Sequence, residues 1–340
     1  MNMRRGIIGV LALVLASAFI ALLRPDTFEA MSSPKLMFVG VNLPSATFAE
    51  HKLPGKVGED YFYPSREDME YFIRSGMNTV RLGFIWERLQ PVLNAPFDSD
   101  EAQRLDDALK TAIRLGATVI LDLHNYAHYR HRLVGSDAVP DESFADFWWR
   151  LATIYGKNDS VAFGLMNEPY GISADQWRHS AQVAIDRIRQ TGAGNLVLVS
   201  SSQWDGASHF VADGDVWDRI VDPAGNFAFE VHQYLDVNNS GTHRDCPNTL
   251  TGVTAIQSVT KWMQRTKHRA LLSETGASER NDCLTALSHM LDFMQQHPDV
   301  WLGWTYFAGG RGWADDDILS IQPVSKIDRP QMEVLRTYLH

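Results

Sequence analysis

From Pro34 onward, short runs of β-branched and apolar residues alternate with stretches whose apolar positions recur every three to four residues. That alternation predicts repeated strand-and-helix units around a parallel sheet. Eight runs read as strands: Leu36–Asn42, Thr79–Phe84, Thr118–His124, Val161–Asn167, Leu196–Ser201, Phe227–His232, Ala270–Glu274 and Leu302–Phe307. Between them the spacing predicts helices over Ser65–Gly76, Asp100–Gly116, Glu142–Tyr155, Ser173–Thr191, Leu250–Lys267 and Asp282–Gln296. The expected fold class is α/β, a single-domain (β/α)8 barrel over residues 34–340. No repeat, low-complexity tract or Ser/Pro/Gly-rich linker interrupts the pattern, so a separate binding module is not expected.

The polar residues within this pattern carry more information than the strands. The third, fourth, sixth and seventh runs end in Asp122-Leu123-His124-Asn125, Asn167-Glu168, His232-Gln233-Tyr234 and Glu274. In a (β/α)8 barrel those C-terminal ends converge on one face, where active sites are built. A lone buried Glu or His is more often a satisfied core group, so the weight lies on the convergence. Glu168 and Glu274 are the candidate catalytic pair, one to protonate a leaving glycosidic oxygen and the other to attack the anomeric carbon. Arg81, in Val80-Arg81-Leu82, is suited to pairing with an ionised nucleophile. Asn167 can bond the hydroxyl beside the reacting carbon, and His124, Asn125, His232 and Tyr234 supply further polar contacts. Trp304 is the candidate floor of the sugar subsite, and Trp86, Trp204 and Trp313 are candidates for flanking subsites.

Composition narrows the class. A net charge of -10 argues against nucleic acid, which needs a concentrated positive field. The 10 Trp, 10 Tyr and 16 Phe leave aromatic rings available for stacking on sugars. His124, His128 and His131 recur at spacings of four and three but lack a metal-binding helix motif, so no metal and no cofactor are expected. Arg4 and Arg5 precede the uncharged run Gly6–Leu23, and residues 1–33 read as an export signal or an uncleaved membrane anchor plus a short tether. Either reading exports the rest of the chain, to the periplasm or beyond, as an expected monomer. Cys246 and Cys283 form either one disulfide or two reduced thiols.

At these residues the chain resembles glycoside hydrolase family 5, the endo-β-1,4-glucanase type, from Leu36 to Pro323. The motifs are Asn78-Thr79-Val80-Arg81-Leu82, Leu121-Asp122-Leu123-His124-Asn125-Tyr126, Gly164-Leu165-Met166-Asn167-Glu168-Pro169, His232-Gln233-Tyr234-Leu235-Asp236 and Ser273-Glu274-Thr275-Gly276. The resemblance implies a retaining double displacement on a β-glucan, with Glu168 as acid/base and Glu274 as nucleophile. It also implies Arg81, His124, Asn167, His232, Tyr234 and Trp304 as the active-site set. Asn239-Ser240-Gly241-Thr242-His243, followed by Cys246, is similar to a cellulase subgroup that bridges this segment to the one after the nucleophile, which implies a Cys246–Cys283 disulfide. Tyr306-Phe307-Ala308-Gly309-Gly310 departs from the more Trp-rich segment of the family. Mannan, xyloglucan and mixed-linkage glucan are rival substrates. A non-catalytic polysaccharide-binding barrel is the rival from another class, though a binder needs neither Glu168 nor Glu274.

Overall fold

The computed structural model describes residues 35–339; the export-signal or anchor reading of residues 1–33 lies outside the described residues. Eight parallel strands close into a barrel: β1 Phe38–Leu43, β2 Thr79–Phe84, β3 Thr118–Leu123, β4 Val161–Gly164, β5 Val197–Val199, β6 Phe227–His232, β7 Ala270–Thr275 and β8 Trp301–Tyr306. Each strand pairs with its neighbours in sequence, and β1 closes the ring against β8. Helices Arg66–Arg74, Ser99–Arg114, Asp141–Tyr155, Ala174–Gln190, Thr251–Thr266 and Asn281–Gln295 return the chain between strands. After β5 only short turns, Ala207–Phe210 and Gly214–Trp217, take that place. Several helices start where their sequences invite it: Ser65 and Asp68 form a capping box, and the Asp98 and Ser173 side chains cap the two helices that follow them.

The expected strand positions hold, but β4 and β5 are shorter than their apolar runs. Past Gly164 the chain still bonds its neighbours, Leu165 N–H to the Leu198 carbonyl at 3.0 Å and Asn167 N–H to the Leu123 carbonyl at 2.8 Å, before Glu168 turns into the left-handed region at φ 44°. The larger core lies between the barrel and its helices, and a smaller cluster of Ile120, Ala162, Leu198, Ala228, Leu271 and Leu302 fills the barrel interior. On β3 and β6, every second residue then steps from apolar to ionisable: Ile120, Asp122, His124 and Ala228, Glu230, His232. The site therefore grows out of the barrel's own alternation.

The eighth strand breaks that alternation. Its register with β7 shifts between Trp301 and Gly303, and Gly303, at φ 154°, is where an added Cβ would meet the Phe38 carbonyl oxygen at 1.7 Å. Such a bulge turns the following side chains to the opposite face. Trp304 aligns with Val39 and Leu272 in the outer core and is fully buried.

Candidate active site

Glu274, at the end of β7, has both oxygens held. Arg81 Nη1 donates to Oε1 at 2.7 Å and the Tyr234 hydroxyl donates to Oε2 at 2.8 Å. Arg81 is itself clamped: Nη1 also reaches Asn42 Oδ1 at 2.9 Å, while Nη2 reaches Asp122 Oδ1 at 3.0 Å and Asn167 Oδ1 at 2.9 Å. Burial weighs against the charge on Arg81, but Asp122, Glu230 and Glu274 outweigh it and raise its pKa. Burial likewise opposes ionisation of Asp122, and Arg81 overcomes it, leaving that carboxyl below its usual range.

The Asp122 carboxylate also meets His124 Nδ1 at 2.7 Å, and Asn167 Nδ2 lies 3.2 Å from His124 Nε2. Burial works against a charge on His124, yet Asp122 prevails and raises its pKa. Asn167 is thus fixed at both ends of its amide, by Arg81 and by His124. Asn125 lies beside this centre but uses its amide as scaffold, accepting from the Trp86 backbone N–H at 2.7 Å and donating to Glu87 at 2.6 Å.

Glu168 is built differently. Its side chain meets His232 Nδ1, 2.8 Å from Oε1, and about 18% of it is exposed. Burial raises its pKa to about 7, and burial lowers that of His232 to about 4. The imidazole is therefore neutral above about pH 4, and the carboxyl holds its proton below about pH 7. Below them, burial raises the fully buried Glu230 to about 7 and lifts Asp205 well above the aspartate range. One Asp205 oxygen accepts from the Glu168 backbone N–H at 3.0 Å and the other from Ser201 N–H at 2.5 Å. One oxygen of Glu168 and one of Glu274 lie within 4.8 Å of each other, with a His232 nitrogen inside the same limit.

A family model described as cellulase (glycosyl hydrolase family 5) matches residues 41–310. The chain belongs to this family. This family 5 enzyme is 32% identical to endo-β-1,4-glucanase B of Aspergillus niger, over 88% of its own length and 89% of that protein. It is 41% identical to a triply substituted endo-β-1,4-glucanase from Xanthomonas axonopodis pv. citri, whose crystal structure matches with a TM-score of 0.88 over 89% of this chain and 99% of that one. A Pseudomonas stutzeri endoglucanase in complex with cellobiose matches at 32% identity and a TM-score of 0.84, over 89% and 92% of the two chains.

The fold brings together Glu168, Glu274, Arg81, His124, Asn167, His232 and Tyr234 from five strand ends of this family 5 cellulase. Two expected tryptophans are elsewhere. Trp304 faces the outer core, turned there by the bulge in β8, and Trp86 is fully buried against Tyr129, Phe144 and Phe147 with Nε1 donating to Gln90. The ring that follows β8 is instead Phe307, half-buried, its backbone N–H bonded to the Thr275 carbonyl and its ring 6.5 Å from Tyr234 and 5.7 Å from Trp313. Trp313 also packs on Phe48 at 5.4 Å. Trp204 is 49% exposed and stacks face to face on Tyr170, with centroids 4.2 Å apart and planes 3° apart. A cavity of about 430 Å³ joins Trp204 to Glu168, His232 and Tyr234.

Sequence reasoning missed Asn42, Asp205, Glu230, Tyr126 and Phe307. Tyr126, at φ 55°, packs between His124 and Trp204, and its placement in the quoted Leu121–Tyr126 motif was the available signal. Among the described residues, Glu168, His232 and Glu274 are the donor group close enough to hold a metal ion. Cys246 and Cys283 form a disulfide that ties the loop after β6 to the helix after β7. No helix among the described residues is long and apolar enough to cross a membrane.

Proposed function

We propose that this chain is an exported endo-β-1,4-glucanase that cleaves internal bonds of β-glucan with retention of configuration. The carrying observation is the gap of less than 4.8 Å between carboxylate oxygens of Glu168 and Glu274. Retaining hydrolases keep the two carboxyls about 5–5.5 Å apart, whereas inversion needs about 6.5–9.5 Å to admit a water. The arginine-led apolar run before Arg24 supports export.

Glu274, aimed by Arg81 and Tyr234, attacks the anomeric carbon as Glu168 gives its proton to the departing glycosidic oxygen. A covalent glycosyl-enzyme results. Glu168, now ionised, takes a proton from the water that attacks the same carbon, and Glu274 leaves as carboxylate. His232, neutral beside Glu168, lets this proton come and go without placing a full positive charge next to it. Asn167, held at both ends, presents a fixed amide for the hydroxyl adjacent to the reacting carbon. Phe307 with Trp313 on one side, and Trp204 with Tyr170 on the other, supply apolar faces for successive sugars.

Proton NMR of freshly cleaved cello-oligosaccharide tests the mechanism. A β-configured reducing end is expected at first appearance; an initial α-anomer sinks the retaining assignment.

A further inference from the structure

A second cavity opens off the catalytic centre, divided from Trp204 by the Tyr170 and Tyr126 rings that help line it, and the reaction described above leaves it unused. It measures about 250 Å³, with buried His124 and the Tyr126 ring on one side and Glu50, His51, His128 and His131 among the other lining groups. These residues come from the loops after β1 and β3. The walls are built rather than loosely draped. Glu87, almost fully buried, accepts from the Arg130 backbone N–H at 2.5 Å and from Asn125 Nδ2 at 2.6 Å. Tyr126, Ala127, Arg130 and His131 all hold left-handed backbone, at φ 55°, 61°, 47° and 64°. Such strain in non-glycine residues concentrates at ligand sites.

The lining suits a sugar. His128 Nδ1 donates to the Tyr126 carbonyl at 2.7 Å, which fixes the ring and leaves Nε2 to accept from a hydroxyl. That ring lies 4.9 Å from Tyr170, and Leu53 and Ile85 add apolar surface. Mixed apolar faces and convergent polar atoms are what a small polyol needs. The carboxylates of Glu50 and Glu87 disfavour an acidic ligand, so a neutral sugar is the class that fits.

Position then says how the sugar arrives. The two groups of accessible rings follow β8 and β1 on one side and β4 and β5 on the other, opposite sectors of the closed ring. A linear chain stretched between them crosses the catalytic pair with one edge toward β6 and β7 and the other toward β2 and β3, where this cavity lies. We propose that the cavity seats a single neutral sugar carried as a branch on the backbone beside the cleaved bond. This rests on the endoglucanase reading.

The test compares cellohexaose with the same backbone carrying single xylose branches, by initial rates and product masses. Wild-type enzyme is expected to cut next to a branched unit, with kcat/KM at least equal to that on cellohexaose. Replacing two contacts, in His51→Ala with His128→Ala, is expected to lower kcat/KM on the branched chain about tenfold more than on the linear one. Should the double variant fold poorly, His51→Ala alone, at an exposed side chain, is expected to shift the same ratio about threefold to fivefold. Cleavage confined to unbranched stretches, or equal losses on both substrates, overturns the branch pocket and leaves the endoglucanase reading standing. Failure of folded wild-type enzyme to cut cellohexaose overturns that reading, and the pocket with it.

Discussion

The two halves of the site handle charge in opposite ways. Around Glu274, a guanidinium, a phenol, an aspartate and two asparagines close nearly every hydrogen bond, and the ion pair between Arg81 and Asp122 favours the charged form of both. Glu168 has no arginine or lysine in contact, and burial raises Glu168 and Glu230 to about 7 and lowers His232 to about 4. Both halves are buried, so burial alone does not decide the charge state. Arg81 makes close hydrogen bonds to Asp122 and Glu274, at 3.0 and 2.7 Å, but approaches Glu230 only at 3.4 Å through Nε, and there burial still raises the carboxyl to about 7. The close hydrogen bond from one arginine thus gives Glu274 a setting that Glu168, bonded to His232, does not share.

The largest break in that comparison comes from Glu274→Gln, which keeps the shape and removes the nucleophile. Activity on carboxymethylcellulose is expected to fall on the order of 10⁴-fold or more, and full activity would refute the nucleophile assignment. Next in size, Glu168→Ala is expected to lose about 10²–10⁴-fold on cello-oligosaccharides yet to recover formation of the glycosyl-enzyme on aryl glycosides with good leaving groups, which need no protonation. A loss equal on both substrate types speaks against an acid role.

The alkaline side of the pH profile sharpens the contrast. Because Glu168 must be protonated and its pKa stands near 7, kcat/KM is expected to fall about tenfold per pH unit above that point. A plateau extending to pH 9 would contradict it. The smallest effect concerns stability. Glu230 holds its proton to a higher pH when folded than when unfolded, so its contribution is full below about 4.5 and is lost as pH rises through about 7. Glu230→Gln removes that loss: the melting temperature is expected to match wild type at pH 4 and to exceed it by a few degrees at pH 8. A variant less stable at pH 8 would mean that Glu230 serves Arg81 as an anion.

The charged half was the more legible in the sequence. Arg81, Asp122, His124, Asn167 and Glu274 sit on or at the ends of strands whose period of two is plain, so their convergence follows from strand order alone. Asp205 and Tyr126 escaped because they lie in loops with left-handed backbone, where no period carries the reading forward. Trp304 was misread for a different reason. It was chosen as an aromatic ring on the eighth strand and by the family resemblance, and a bulge at Gly303 turns it to the outer core, an event visible only once β8 has neighbours. Trp86 shows the limit of residue type as a guide, since a large ring near a site is still most often core.

The consecutive left-handed residues Gln203, Trp204 and Asp205, at φ 56°, 63° and 54°, bind two jobs into one short turn. Trp204 presents its ring to solvent while the next residue anchors the backbone of Glu168. Anyone grafting a different aromatic onto this rim must therefore exchange the indole alone and keep its neighbour. A transplanted loop with another twist would shift the backbone of Glu168 at the same time as the exposed indole.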